Sequence, residues 1–480
     1  MTRLHTFVAL TLLLLTMLSG CNTHPAHQNI SYAEALLQNG DLTDATKLAQ
    51  EMVKSYDLSQ SERSRMDSVL EICSRIRKDF TMSDTDMLQI LKKYNPQIDK
   101  PELLRLEEEH KLDVRTLDDE KRYFKNSVGN LFRLDSVYDR LKSEKDGSSI
   151  DSFPNFKLRQ TSRILNESVI SGVPVHPIRM KLSYTIRVAA DAIPAGDTLH
   201  CWMPYPREQN VRQQDIHLLN TIPSRNQLSP PSDLQRSIYL EQVSVAKTPT
   251  LFHSEFEFTC YAQTFQLTPE QVKPYQKQNT FYKQYTAERA PQIIFKGLFK
   301  ALNNRILHGE TNPLLQVRKI YKWINDSVTW ASALEYSIMG DIPGFVLENR
   351  HGDCGMQTLL FMTLARSAGI PVKWQSGWML HPGEVNLHDW CEVWFEGIGW
   401  VPLDQSFGLQ NSPNEKIRDF YVTGIDSYRL IVNDDISQPL TPPKKFYRSE
   451  PYDFQRGEVE WKGGNLYFDK WSWHMDVTYE

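Results

Sequence analysis

The sequence predicts an α+β fold in three blocks: an N-terminal helical domain, a small antiparallel β domain, and a core with a buried helix against an antiparallel sheet. Three observations carry this reading. The hydrophobic period changes from 3.6 to 2 near residue 178. An almost wholly apolar helical run follows Cys354, and three strand-like runs then lead to Asp404. The length of 480 residues agrees, since it corresponds to about three domains. Hydrophobic residues at 40% and charged residues at 24% are ordinary for a globular chain and exclude a disordered or polytopic membrane protein. A formal net charge of -5 gives no basic excess, so no nucleic-acid partner is expected. Six cysteines are too few for a disulfide scaffold.

Arg3 and the apolar residues 7–18 form a leader too short for the roughly 20 residues that span a bilayer. It ends in Leu18-Ser19-Gly20-Cys21, which resembles the lipobox of bacterial lipoproteins. That resemblance implies removal of the signal peptide, residues 1–20, and a lipid anchor on Cys21. Several acyl chains on that one residue would hold the protein firmly to a membrane. An ordinary secretory signal is the alternative. The expected location is the bacterial cell envelope, at the outer membrane.

Residues 21–177 read as a helical domain and linker. Ser31 and Glu34 have capping-box spacing. The stretch YAEALLQNGDLTDATKLAQEMV reads as two helices about a Gly-Asp turn. Met66, Val69, Leu70, Cys73, Ile76 and Phe80 form one helical face, and Pro101 suits a helix start. Residues 178–270 form the β domain. Leu182, Tyr184, Ile186 and Val188 alternate with polar neighbours, and 198–203, 237–246 and 252–264 are further strands. Cys201 and Cys260 lie in two of these strands, where a disulfide and two free thiols are both open.

Residues 285–440 hold the chemistry. TNPLLQVRKIYKWINDSVTW is a helix with Pro313 near its start, followed by a loop containing Gly340, Pro343 and Gly344. Asp353 is a plausible N-cap for a helix beginning at Cys354 and stopped by Gly369 and Pro371. A cysteine at a helix N-terminus meets free N–H groups and the positive end of the dipole, which favour its thiolate. His388, Trp390, Glu392 and Trp394 share one strand face, and Asp389, Cys391, Val393 and Phe395 the other. The strand after the Gly397-Ile398-Gly399 turn ends at Asp404. A suitable register makes Cys354, His388 and Asp404 a nucleophile, a base and an orienting acid.

GDCGMQTLLFMTLARSAGIPVKWQSGW, then HDWCEVWFEGIGWVPLD, resemble the transglutaminase-like superfamily of the papain-like fold group. The resemblance implies a catalytic role for Cys354, His388 and Asp404, and acyl transfer at amide or peptide bonds through a thioester. Hydrolysis is expected over cross-linking, on a peptide or protein substrate such as a cell-wall peptide. Trp330 and Tyr336 are side-chain candidates for the oxyanion beside the Cys354 backbone N–H, with Trp330 preferred. Trp390, sharing the His388 face, is the candidate wall of a substrate cleft. A catalytically inactive binding or scaffold module is the alternative. A zinc reading of His351, Cys354, His388 and Cys391 fails on strand geometry, because His388 and Cys391 face opposite ways. No metal or cofactor is expected. Residues 441–480 are read as strands packing on the core.

Overall fold

The computed structural model describes residues 25–147 and 151–480. The leader and Cys21 lie outside the described residues. The chain forms two compact units, residues up to Lys78 with Arg115–Lys121, and Asp79–Val114 with Arg122–Glu480.

In the first unit the helices Pro25–Asn39 and Leu42–Ser55 meet at Gly40, whose φ is +90° and whose Cβ, if present, would overlap the Thr116 carbonyl oxygen. The expected helix start at Ser31 is corrected. The helix begins six residues earlier at Pro25, a residue suited to a first turn, and Glu34 instead pairs with Arg65 at 2.5 Å. Met66, Val69, Cys73 and Ile76 are buried on one face of Gln60–Asp79, as their spacing requires.

The second unit begins with helices Asp84–Leu91 and Lys100–Glu108, the latter capped by Asp99 with Pro101 in its first turn. Phe80–Met82 pairs with Glu120–Phe124, a short strand pairing within the region read as wholly helical. Three residues are too few to show a period.

The strand Val175–Val188 buries Leu182, Tyr184, Ile186 and Val188, and pairs antiparallel with Thr250–Thr264 on one side and Trp471–Tyr479 on the other. In a second sheet Thr198–Pro204 lies between Ser237–Val243 and Glu458–Trp461. The C-terminal strands complete these middle sheets by hydrogen bonding, and their Val459, Trp471 and Met475 pack in one cluster with Trp378 and Leu380 of the strand Val372–His381. Cys201 and Cys260 are separate buried thiols.

The sheet that carries the candidate chemistry has four antiparallel strands in the order Gly399–Leu403, Glu384–Phe395, Val372–His381, Arg429–Asn433. Its register sets Gly377 opposite His388 and Leu403 opposite Cys391. Arg429–Asn433 is buried throughout, so it lacks the alternation that reveals a strand. It approaches so closely that a Cβ on Gly377 would overlap the Leu430 carbonyl oxygen. Trp378, Leu380, Leu430 and Val432 of this sheet join Leu182, Tyr184, Leu199 and Phe256 of the middle sheets in one core cluster. The 178–270 and 285–440 blocks thus share a core.

Helix Cys354–Ser367 packs on this sheet with almost every residue buried. The stretch read as a loop around Pro343 is a helix, Ile342–Asn349, capped by Asp341. Proline and glycine in a first turn are compatible with a helix start, which is how the sequence signal misled.

Candidate active site

Asp353 builds the start of the Cys354 helix. Its Oδ1 accepts from Met356 N at 3.1 Å and from the Tyr336 hydroxyl at 2.5 Å. Gly355 follows because there is no room for more: a Cβ there would overlap the Tyr336 hydroxyl and come within 2.5 Å of Asp389 Oδ2. Cys354 sits at the first helical position, half-buried, and its Sγ donates to Asp389 Oδ2 at 3.5 Å.

Asp389 and His388 are consecutive on Glu384–Phe395 and are held together by Gln455. Its Nε2 donates to Asp389 Oδ1 at 2.7 Å and to the His388 carbonyl at 2.8 Å. His388 Nε2 lies 2.7 Å from Asp404 Oδ2. The same oxygen accepts from Arg429 Nη2 at 2.9 Å, while Oδ1 accepts from Phe407 N at 3.2 Å. Arg429 also reaches Asp426 at 3.3 Å, and His381 lies 3.0 Å from that carboxylate on the far side. Tyr321 holds the Asp404 carbonyl from the helix Pro313–Ser327. A buried chain thus runs His388, Asp404, Arg429, Asp426, His381.

These contacts set the protonation states. Burial would raise the Asp404 carboxyl, but His388 and Arg429 outweigh it and hold the group below the usual carboxylate range. Burial lowers His388, and Arg429 assists against the pull of Asp404, so the ring is neutral near pH 7. An ionised Asp404 on Nε2 fixes the proton there and leaves Nδ1 as the basic nitrogen.

Cys354 departs from the expectation drawn from its helix terminus. Burial pushes its thiol well above the ordinary value, and the Asp389 and Asp353 carboxyls push it further. The carboxyls respond in turn. Burial, then Asp453 and Asp353, raise Asp389 well above its ordinary range, and burial lifts Asp353 to about 6. At rest the thiol and the imidazole are both neutral; the sulfur meets Asp389 and the His388 ring meets Asp404, and Asp389 and His388 leave their strand on opposite faces.

Cys354 opens on a cavity of about 390 Å³, whose walls include Trp330, Ser337, Asp389, Asp453 and Arg456. Tyr336, also in this wall, adjoins Cys354 directly through Asp353 and Gly355. Trp330 stands farther out, 41% exposed, with the Arg133 guanidinium 4.9 Å from its ring. Both aromatics thus line the cavity, and the Tyr336 hydroxyl is already engaged by Asp353. Trp390 is corrected. It shares the His388 face, with ring centroids 5.9 Å apart, but Ile425 and Ile431 bury it completely and its Nε1 donates to Gln375. It cannot wall a cleft. The four residues of the zinc spacing have separate surroundings: His351 faces Asp113, Cys354 faces Asp389, His388 faces Asp404, and Cys391 is buried in the sheet.

Sequence reasoning did not find Gln455, Arg429 or Asp453. Gln455 and Asp453 lie in a stretch without regular secondary structure, and Arg429 opens a strand without alternation, so neither period marks them. Asp389 was visible only as the neighbour of His388.

Residues 300–405 match the family model of the transglutaminase-like superfamily. Among curated relatives, a protein of Haemophilus influenzae described as uncharacterised is 27% identical over 139 residues, 24% of this chain and 38% of that one. YebA of Bacillus subtilis, likewise described, is 30% identical over 98 residues, 17% of this chain and 13% of its own. The chain thus spans well under half the length of these relatives. Among solved structures, a candidate cysteine protease from Cytophaga hutchinsonii is similar at TM-score 0.44 and 13% identity, covering 64% of this chain and 92% of that one. The periplasmic domain of TgpA from Pseudomonas aeruginosa gives TM-score 0.25 and 15% identity, covering 49% and 90%. Residues 300–405 of this chain are a transglutaminase-like superfamily domain.

Proposed function

We propose that this protein is a cysteine-nucleophile enzyme that cleaves amide or peptide bonds in the bacterial cell envelope, anchored by lipid on Cys21 at the outer membrane. The observation that supports this most is the 2.7 Å contact between His388 Nε2 and Asp404 Oδ2. It fixes the tautomer that leaves Nδ1 as the base, and the reaction requires the His388 ring to be brought to the Cys354 sulfur, which at rest donates to Asp389 on the opposite face of the strand.

The steps follow from those atoms. His388 Nδ1 takes the thiol proton as Sγ attacks the carbonyl carbon. The tetrahedral oxygen is met by the Cys354 backbone N–H at the helix start, whose cap the Tyr336 hydroxyl supports by donating to Asp353. The imidazolium returns its proton to the departing amine, leaving a thioester on Sγ. Water, losing a proton to Nδ1, attacks the thioester and releases the acid and the free thiol. Hydrolysis is preferred over transfer to an amine, and a cell-wall peptide is the substrate suggested by location.

One observation favours a second reading, an inactive binding or scaffold module. The sulfur donates to Asp389, and burial with two carboxyls disfavours its thiolate. The two readings separate on iodoacetamide labelling followed by peptide mass spectrometry. The enzyme reading expects Cys354 to label faster than Cys73, Cys201, Cys260 and Cys391, and expects His388→Gln to slow it. Cys354 labelling no faster than the buried thiols, and unaltered by His388→Gln, would leave the scaffold reading standing.

A further inference from the structure

The cavity beside Cys354 is unusual in its charge. Five carboxyl groups line it, on Glu335, Asp353, Asp389, Glu450 and Asp453, against the single guanidinium of Arg456. Arg456 is already engaged. It meets Glu335 at 2.7 Å and Glu450 at 2.6 Å, which accounts for two of the five. Asp353 is occupied by the helix cap and Tyr336, and Asp389 accepts from Gln455 and Cys354.

Asp453 has no side-chain hydrogen bond among these contacts. It is 6% exposed, its carbonyl accepts from Arg448, and its carboxyl, which accepts from its own backbone N–H, is held well above the ordinary carboxylate range by burial and Glu450. Ser337, on the same cavity wall and 4% exposed, has a buried Oγ without a hydrogen-bond partner. A buried hydroxyl left unpaired is costly, and burial beside another acid keeps the Asp453 carboxyl protonated until a cation arrives. Such groups are retained where a ligand completes them. Among the described residues no three or more metal-ligating side chains are placed to hold a metal ion. A cation with several N–H donors fits the convergence of carboxylate and hydroxyl oxygens.

We propose that this cavity receives a primary ammonium carried by the acyl-donor peptide, with Asp453 and Asp389 as its carboxylate partners and Ser337 as a hydroxyl acceptor. The proposal deepens the reading of Cys354 as nucleophile and rests on that residue's cavity being the substrate site. The donor is favoured over an incoming amine acceptor for a physical reason. The acids beside Cys354 oppose ionisation of its thiol, and a cation among them relieves that opposition only if it is present before attack. An acceptor amine arrives once the sulfur is already a thioester.

The test measures binding to the Cys354→Ser chain by calorimetry, so that no chemistry intervenes. The probes are acetyl-Ala-Lys-Ala-amide, its Nε-acetyl-lysine form, and acetyl-Ala-norleucine-Ala-amide. The lysine peptide is expected to bind at least about tenfold more tightly than either neutral peptide, the scale of one charge-assisted hydrogen bond. Its heat should differ between phosphate and Tris buffers, because the ammonium displaces protons held by the carboxyls. Asp453→Asn should remove the preference of the lysine peptide over the two neutral peptides.

Equal affinities for the three peptides, or no measurable binding of the lysine peptide, would overturn the proposal. These comparisons use one protein and do not depend on how well the Asp453 variant folds. If the lysine peptide binds preferentially but the wild type turns over no amide, the enzyme reading fails and the cation site stands. If turnover occurs without preference for the ammonium, the cation site alone fails.

Discussion

Replacing Asp404 by Asn tests the buried chain behind His388 while keeping the shape of the side chain. Asp404 is fully buried, and its Oδ2 meets both His388 at 2.7 Å and Arg429 at 2.9 Å. With His388 neutral, the ionic partner near pH 7 is Arg429, itself 1% exposed. Removing one member of a buried ion pair costs about 3–5 kcal/mol. Asp426 remains 3.3 Å from Arg429, which places Asp404→Asn near the low end, about 3 kcal/mol. For a chain of this size that lowers Tm by roughly 3 °C.

The pH dependence has a definite sign. Asp404 is held below its ordinary value, so the stabilisation it carries is complete above its unfolded pKa of about 3.9. It disappears as pH falls through the lower, folded value. Thermal unfolding followed by circular dichroism should therefore show the full gap between wild type and variant at pH 7 and pH 5, narrowing only below about pH 4. Turnover should fall by up to about 10⁴-fold, as the neutral amide no longer fixes the ring tautomer. A gap that is equal at pH 7 and pH 3, or that closes on the alkaline side, would refute the ionised Asp404–Arg429 pair.

Other outcomes follow from single contacts. Asp353 titrates near 6 in the folded chain, so the protein binds an extra proton relative to the unfolded chain between about pH 4 and 6 and loses stability as pH rises through that window. Asp353→Asn keeps a competent helix cap and should flatten that part of a Tm–pH curve; an unchanged slope would count against the shift. Gly355→Ala must displace Tyr336 or Asp389 and should cost about 1–3 kcal/mol, read by denaturant midpoint, with slower Cys354 labelling. Cys21→Ala should abolish incorporation of labelled palmitate and release the protein from the membrane fraction; retention of the label would overturn the anchor.

The core of the site was legible because its elements are local and periodic. Asp353-Cys354-Gly355 at a helix start, and His388 with Asp404 on a hairpin turning at Gly397 and Gly399, follow from short-range rules of capping, alternation and turn formation. The residues that tune it come from far along the chain. Arg429 reaches Asp404 through a strand buried on all sides, and Gln455 reaches His388 and Asp389 from an irregular segment 66 or more residues away. Neither leaves a periodic mark, because period reports which face is wet and these segments have no wet face.

What the sequence determined by itself is the chemistry available: a cysteine at a helix terminus, and a histidine and an aspartate on the two adjacent strands of one hairpin. What only the tertiary structure decided is the charge around them. The helix terminus by itself favours a thiolate at Cys354, but burial beside Asp389 and Asp353 reverses that and favours the neutral thiol. The same packing turned Trp390 from a cleft wall into core and tied the Tyr336 hydroxyl to the Asp353 helix cap. A dipole at one helix end is a short-range feature of sequence, whereas desolvation and facing carboxylates depend on which distant segments close over the site.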